Sequence, residues 1–345
     1  MEHKMTQETP LLLPTTVIGS HATPSWLWTS IAEIEKGNYG ETDIQETFDD
    51  AVMIAITDQE RAGIDIITDG EMRRWYFVQS FYRRMENLIE RPPLRKVGVY
   101  GYDSPKRYIA TDKVSIPDGL GITEEYLFSK NLTDKPLKVT CPGPLTLTMH
   151  IQPGKAYKNR LDLAWEFAEV INKELKTLVE LGAEFIQIDE PSFAIIPGEL
   201  QEWVDLYNST VQGVTSKLAL HVCFGNLGSR PRGKRNYDWM FPELLKTRSD
   251  QLVLEFSNRE MNESDLWGKV GDDRELCAGV IDIKSFYVET PEDVANRIRQ
   301  ILKVIEPDKL QISPDCGFFQ LPRWLTCLKL DAMVKGTNLV RKELI

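Results

Sequence analysis

The sequence predicts an α/β protein: a (β/α)8 TIM barrel, a single domain with one excursion inserted after the second β/α unit. Three observations point there. Eight short apolar runs alternate with helical patterns along the 345 residues, and such alternation implies parallel strands. Most runs end in a polar or ionisable residue, as expected where sites gather at the carboxyl ends of barrel strands. No glycine-rich phosphate fingerprint follows the first run, which ranks an open doubly wound sheet lower.

In order, residues 1–13 read as a flexible polar segment, and 14–345 as the barrel domain. The first strand is Thr15-Thr-Val-Ile-Gly-Ser20. Thr42 and Gln45 form a capping box for a helix running to Gly63, with Phe48, Val52 and Ile56 on one face. Ile64–Glu71 is the second strand, and a second helix is expected through about Glu90. Arg91-Pro-Pro93 stops it. Residues of about 94–135 are turn-rich and read as the inserted excursion, a hairpin among them. The strand pattern resumes at Leu137–Pro144. A helix follows with Leu163, Phe167, Val170, Ile171, Leu175 and Leu178 at helical spacing, closed by Gly182. Five further strands follow: Glu184–Pro191, Leu218–Phe224, Gln251–Asn258, Glu275–Ile283 and Leu310–Gly317. The helix after the seventh strand starts with Thr290 as cap and Pro291 in its first turn.

Composition narrows the function classes. The net charge of -11 argues against nucleic acid or an anionic membrane as partner. Five cysteines without framework spacing suggest a reducing compartment. The N-terminus has no apolar signal core, and no apolar run reaches membrane-spanning length. The expectation is a cytoplasmic chain.

The strand ends carry the chemistry. His221 and Cys223 lie two apart on one strand, so both side chains point to the same face. In isolation that pair also reads as a core strand with one satisfied His and one inert Cys. Glu255 and Cys316 end two later strands. Together the four offer two thiolates, an imidazole and a carboxylate, a set that can close a four-coordinate zinc site. The carboxylate is the ligand most easily displaced, so a substrate thiol can enter there and lose its proton. From spacing alone, Glu255 also reads as a loop cap and Cys316 as a turn residue. Cys141, Cys277 and Cys327 read as buried small apolar residues. Glu71 and Asp189 suit an ammonium group; the alternative is neutralisation by Arg73 or Arg74. Trp26, Trp28, Trp75, Tyr76 and Phe77 flank the mouth, most of them as core. Arg230, Arg232, Lys234 and Arg235 form a basic loop after the His-Cys strand. It reads either as a contact for an anionic part of a donor or as a solvated surface loop.

Seven motifs in order carry a resemblance: Val17-Ile-Gly-Ser20, Thr68-Asp-Gly-Glu71, Ile186-Gln-Ile-Asp-Glu-Pro191, His221-Val-Cys223, Leu254-Glu255, Gly279-Val-Ile-Asp282 and Ser313-Pro-Asp-Cys-Gly317. From about residue 14 onward the chain resembles the catalytic carboxyl-terminal barrel of cobalamin-independent methionine synthase. The resemblance implies zinc on His221, Cys223, Glu255 and Cys316. It implies homocysteine held by Ile18, Gly19, Ser20, Glu71 and Asp189, and methyl transfer to its thiolate, giving methionine.

Three departures concern the methyl donor. The family's folate-stacking Trp aligns with His150, its folate-contacting Glu with Ile195, and its proton-donating His with Lys284. A folate nitrogen leaves only when protonated, and an unperturbed lysine is a poor acid near neutrality. Cobalt(I) leaves without a proton. The sequence therefore points to methylcobalamin, free or on a corrinoid protein, with 5-methyltetrahydrofolate as the alternative and Lys284 as the residue at the acid's position. Two other readings stand beside it. One is a related zinc thiol alkyltransferase with another thiol acceptor such as coenzyme M, whose sulfonate would call for cations where Glu71 and Asp189 lie. The other is a non-catalytic zinc or corrinoid carrier.

Overall fold

The computed structural model describes residues 11–94, 105–226 and 233–345. Six parallel strands form its main sheet: β3 (Lys138–Pro142), β5 (Phe185–Asp189), β6 (Lys217–Val222), β7 (Gln251–Leu254), β8 (Glu275–Ile281) and β9 (Leu310–Pro314), neighbours in that order. Helices separate most of them, including Arg160–Glu180, Leu200–Thr210 and Pro291–Ile301. Parallel pairing requires such crossovers. Isolated parallel bridges join Ile312 of β9 to Thr15, Thr16 to Ile66, and Ile67 to Leu137. The first two expected strands are thus reduced to bridges, and they link the two edges of the sheet.

A three-stranded sheet stands apart. β1 (Glu86–Arg91) pairs antiparallel with β2 (Arg107–Ser115), and β2 pairs parallel with β4 (Ile151–Gln152). This overturns the helix expected through Glu90. Phe77–Arg84 is a 3-10 helix, and the strand follows it. Pro92 and Pro93 therefore follow a strand rather than a helix. The hairpin starts ahead of residue 94, and the segment to 135 also holds a helix, Ile122–Lys130.

Local signals explain the helix ends. Thr290 Oγ1 accepts from Asp293 N–H at 3.1 Å and Asp293 Oδ2 from Thr290 N–H at 2.8 Å, a reciprocal box behind Pro291. The box expected at Thr42 is displaced. Helix Glu41–Ala62 has Gly40 as its cap, and Asp43 Oδ2 accepts the Gly40 N–H at 3.2 Å. Gly63, at φ +83°, ends that helix in the left-handed region that glycine alone enters without strain.

Both faces of the sheet are buried. On β6, Leu218, Leu220 and Val222 join the large core under the helices. Ala219 packs on the other face with Ile18, Phe185, Val253 and Cys277. Strand alternation sends His221 to that inner face as well. Among the described residues, no helix is long and apolar enough to cross a membrane.

Candidate active site

Three of the four expected ligands come together. One nitrogen of His221 and the sulfurs of Cys223 and Cys316 lie within 4.8 Å of one another. The two sulfurs are 3.6 Å apart. The other ring nitrogen explains the orientation of the imidazole. His221 Nδ1 is 2.7 Å from Asp189 Oδ1. A carboxylate only accepts, so Nδ1 donates, and in the neutral imidazole Nε2 carries the lone pair. Nε2 is buried and has no hydrogen-bond partner. A buried orphan acceptor beside two thiols is the donor set of a soft or borderline cation, and it fits zinc.

Glu255 stands differently. Its Oε1 lies 2.8 Å from Lys284 Nζ, and both side chains are fully buried. Its carboxylate is not among the atoms within 4.8 Å of the three ligands. Tyr237 fixes the backbone there: its hydroxyl donates to Val222 O at 2.9 Å and accepts from Glu255 N–H at 2.7 Å. Asp315 fixes the rest of that loop. It accepts from Phe256, Ser257 and Asn258 N–H groups at 3.0, 2.8 and 2.5 Å. The residue beside Cys316 thus holds the turn that follows Glu255.

Charge follows this packing. The hydrogen bond from Cys223 draws the Cys316 thiol down to about 7, against burial, with His221 and Lys284 adding to it. That bond and burial push Cys223 up. Burial opposes charge on His221, but Asp189 outweighs it and holds the imidazole above its ordinary value. Burial also opposes charge on Lys284, and Glu255 overcomes it, so the amine lies above its usual range.

The expected amino-acid site shares a pocket with this cluster. Ile18, Gly19, Ser20, Glu71 and Asp189 line it together with the three ligands. Glu71 Oε1 accepts from Thr140 Oγ1 at 2.8 Å. Burial raises Glu71 to about 7, Arg74 pulling it down and Asp189 pushing it up. Arg74 is 3.5 Å from Glu71 but 2.6 Å from Glu125, so Glu125 takes most of its charge. Arg73 pairs with Asp49 instead. A Cβ on Gly19 would sit 2.4 Å from Glu71 Oε1, and one on Gly317 2.0 Å from Ser20 Oγ. Both glycines are needed for the close approach of backbone to these side chains.

Asn226 and Phe319 of this pocket were not singled out from sequence. Asn226, Phe77 and Phe319 line the same pocket; of these only Phe77 stood in the aromatic group noted above. Asn226 Nδ2 reaches Gly317 O at 3.4 Å, and its buried Oδ1 has no partner. Its signal was its place three residues past Cys223. Trp75 stacks on Phe48 at 5.6 Å, as core, and Trp28 packs on Phe319 at 5.3 Å. Arg230 and Arg232 lie outside the described residues. Lys234 is exposed. Arg235 is engaged, donating to Asn258 O and Oδ1 at 2.7 and 2.8 Å. A second group, His21, Asp58 and Cys327, has ligand-type atoms equally close. There Arg323 already makes two bonds to Asp58, at 2.6 and 2.7 Å, and its charge opposes a cation. Cys327 is only half-buried, unlike Cys141 and Cys277.

Comparison with known proteins identifies a family. A family described as "Cobalamin-independent synthase, Catalytic domain" matches residues 13–338. The chain is 38% identical over 334 residues to a methionine synthase of Sulfurisphaera tokodaii, covering 96% of this chain and 94% of that one. It is 38% identical over 335 residues to one of Saccharolobus solfataricus, covering 96% of each. Among solved structures it is similar to a B12-independent methionine synthase from Shewanella sp. W3-18-1 in complex with selenomethionine. That match has a TM-score of 0.82 and 29% identity, and covers 97% of this chain and 99% of the other.

Proposed function

Since the chain belongs to the cobalamin-independent methionine synthase family, and is a methyltransferase acting on homocysteine, we propose that His221, Cys223 and Cys316 hold a zinc ion for that reaction. Glu255 is read as the fourth, exchangeable ligand. The observation that carries this is the lone pair of His221 Nε2, buried without a partner beside two sulfurs. When bound, zinc supplies a Lewis acid that keeps a thiol deprotonated near neutrality.

The protein's residues do the rest. Glu71 and Asp189 receive the α-ammonium of homocysteine, and the Ile18–Ser20 segment lines the same pocket beside them. Asp189 also holds His221, so one carboxylate orients both the metal ligand and the substrate. Lys284, paired with Glu255 at 2.8 Å, would keep that carboxylate neutralised whenever it was not on the metal, so its charge would not be left buried alone. We read the parallel sheet and its edge bridges as a closed eight-stranded barrel over residues 14–345. The three-stranded sheet is read as its excursion.

The donor read first is 5-methyltetrahydrofolate, in keeping with a family described as cobalamin-independent. Methylcobalamin, expected from the sequence, and a corrinoid-protein partner have no support in that description. One observation favours methylcobalamin as a second reading. The residue at the general acid's position is an amine committed to Glu255, whereas a folate nitrogen must be protonated before it leaves.

One assay tests both layers. Zinc-loaded protein and homocysteine are given either methyltetrahydrofolate or methylcobalamin, and methionine is measured. Product from folate supports the first reading, and product from methylcobalamin alone supports the second. Full turnover after complete zinc removal by a chelator would overturn the metal site.

A further inference from the structure

A buried chain of hydrogen bonds runs from β3 through the sheet to the metal-type ligands. Lys138 Nζ donates to Gln187 Oε1 at 2.6 Å. Gln187 Nε2 donates to Asp189 Oδ1 at 2.8 Å and to Ile18 O at 2.9 Å. Asp189 Oδ1 accepts from His221 Nδ1 at 2.7 Å. Lys138, Gln187, Asp189 and His221 are each at most 5% exposed. No bulk water supplies alternative partners, so the donor and acceptor roles are set by the residues themselves.

Those roles run one way. A lysine amine beside an amide oxygen can only donate to it. With Oε1 committed, the amide nitrogen faces two pure acceptors, the Ile18 carbonyl and the Asp189 carboxylate. Turned over, the amide would set its oxygen against both and its NH2 against the amine. The orientation is therefore fixed from both ends. Asp189 Oδ1, held by the amide, is in turn placed for the Nδ1–H of His221. The same amide nitrogen holds the carbonyl of the loop that lines the amino-acid pocket.

We propose that Gln187, anchored by Lys138, is a positioning residue serving two parts of the site at once: the metal-binding nitrogen of His221 and the Ile18–Ser20 substrate loop. The proposal rests on the functional reading above. It goes beyond it by assigning work to two buried residues that touch neither metal nor substrate. Outer partners of a metal-bound histidine commonly alter affinity about tenfold to a hundredfold when changed.

The test separates positioning from packing. In the double variant Lys138→Met with Gln187→Leu, amine and amide are replaced together by apolar groups of similar volume, so neither is left unpaired. A merely structural role would be preserved there. Zinc affinity of the metal-free protein is measured by chelator competition, and steady-state kinetics are run at saturating zinc. The expected result is a native thermal transition, zinc affinity weaker by about tenfold or more, and a raised homocysteine KM with kcat little changed. Gln187→Glu is the second arm. It keeps the Lys138 contact but faces Asp189 and Ile18 with a carboxylate, and the same two losses are expected. Wild-type zinc affinity and KM in either folded variant would overturn the proposal. Failure of the underlying functional reading shows separately, as absent zinc binding or absent methionine formation in the unaltered protein.

Discussion

Lys284 Nζ lies 2.8 Å from Glu255 Oε1, with the two side chains 1% and 0% exposed. Breaking such a pair from one side leaves a buried charge and is costed at about 3–5 kcal/mol. Lys284→Met should therefore lower the stability of the metal-free protein by an amount of that order. Zinc should restore more of it than it adds to the unaltered protein, because the freed carboxylate then has the metal as its partner. Thermal denaturation of both proteins with and without zinc measures this, and an equal zinc-induced rise in Tm would count against Glu255 as a ligand.

Cys316→Ala removes one of the two sulfurs that lie 3.6 Å apart. Metal content should fall well below one equivalent and methionine formation by more than about a hundredfold, with the fold retained, because only one thiolate, the imidazole and the exchangeable Glu255 carboxylate would be left for a four-coordinate ion. Elemental analysis after gel filtration, alongside the activity assay, checks it. Stoichiometric zinc in this variant contradicts the ligand set.

Asp189 is bound to His221 Nδ1 and lines the amino-acid pocket. Asp189→Ala should therefore weaken zinc about tenfold to a hundredfold and raise the homocysteine KM at saturating zinc. Chelator competition and kinetics measure the two effects independently. A change in only one of them would assign Asp189 a single role.

Glu71 is raised by burial from 4.5 to about 7. The folded protein thus holds this proton more tightly than the unfolded chain does. Stability should fall as pH rises from about 4.5 to about 7, by up to about 1.4 kcal/mol per unit, and level off above that. Homocysteine binding should run the other way, since its ammonium needs the ionised carboxylate. Glu71→Gln should flatten the stability profile and raise KM far more at pH 8 than at pH 6. Denaturation midpoints and KM across pH 5–8 test it, and parallel profiles for the two proteins would exclude Glu71 from substrate binding.

The 3-10 helix and strand over Phe77–Arg91 were hidden from sequence for a physical reason. β1 is exposed at nearly every position, so it carries neither the period of two nor that of 3.6 that burial on one face imprints. The strands of the main sheet lie buried on both faces, and their continuous apolar runs with polar ends were plain.

The sequence by itself determined the parallel α/β order, the strand ends on which the site is built, and the shared face of His221 and Cys223, because strand alternation is a local property of two residues on one strand. Only the tertiary structure decided that Glu255 meets Lys284, that Asp189 holds His221, and that Arg74 turns mainly to Glu125. Each of those pairings joins atoms from separate elements of the chain, and burial makes the choice of partner depend on all the polar groups enclosed with them rather than on any one segment.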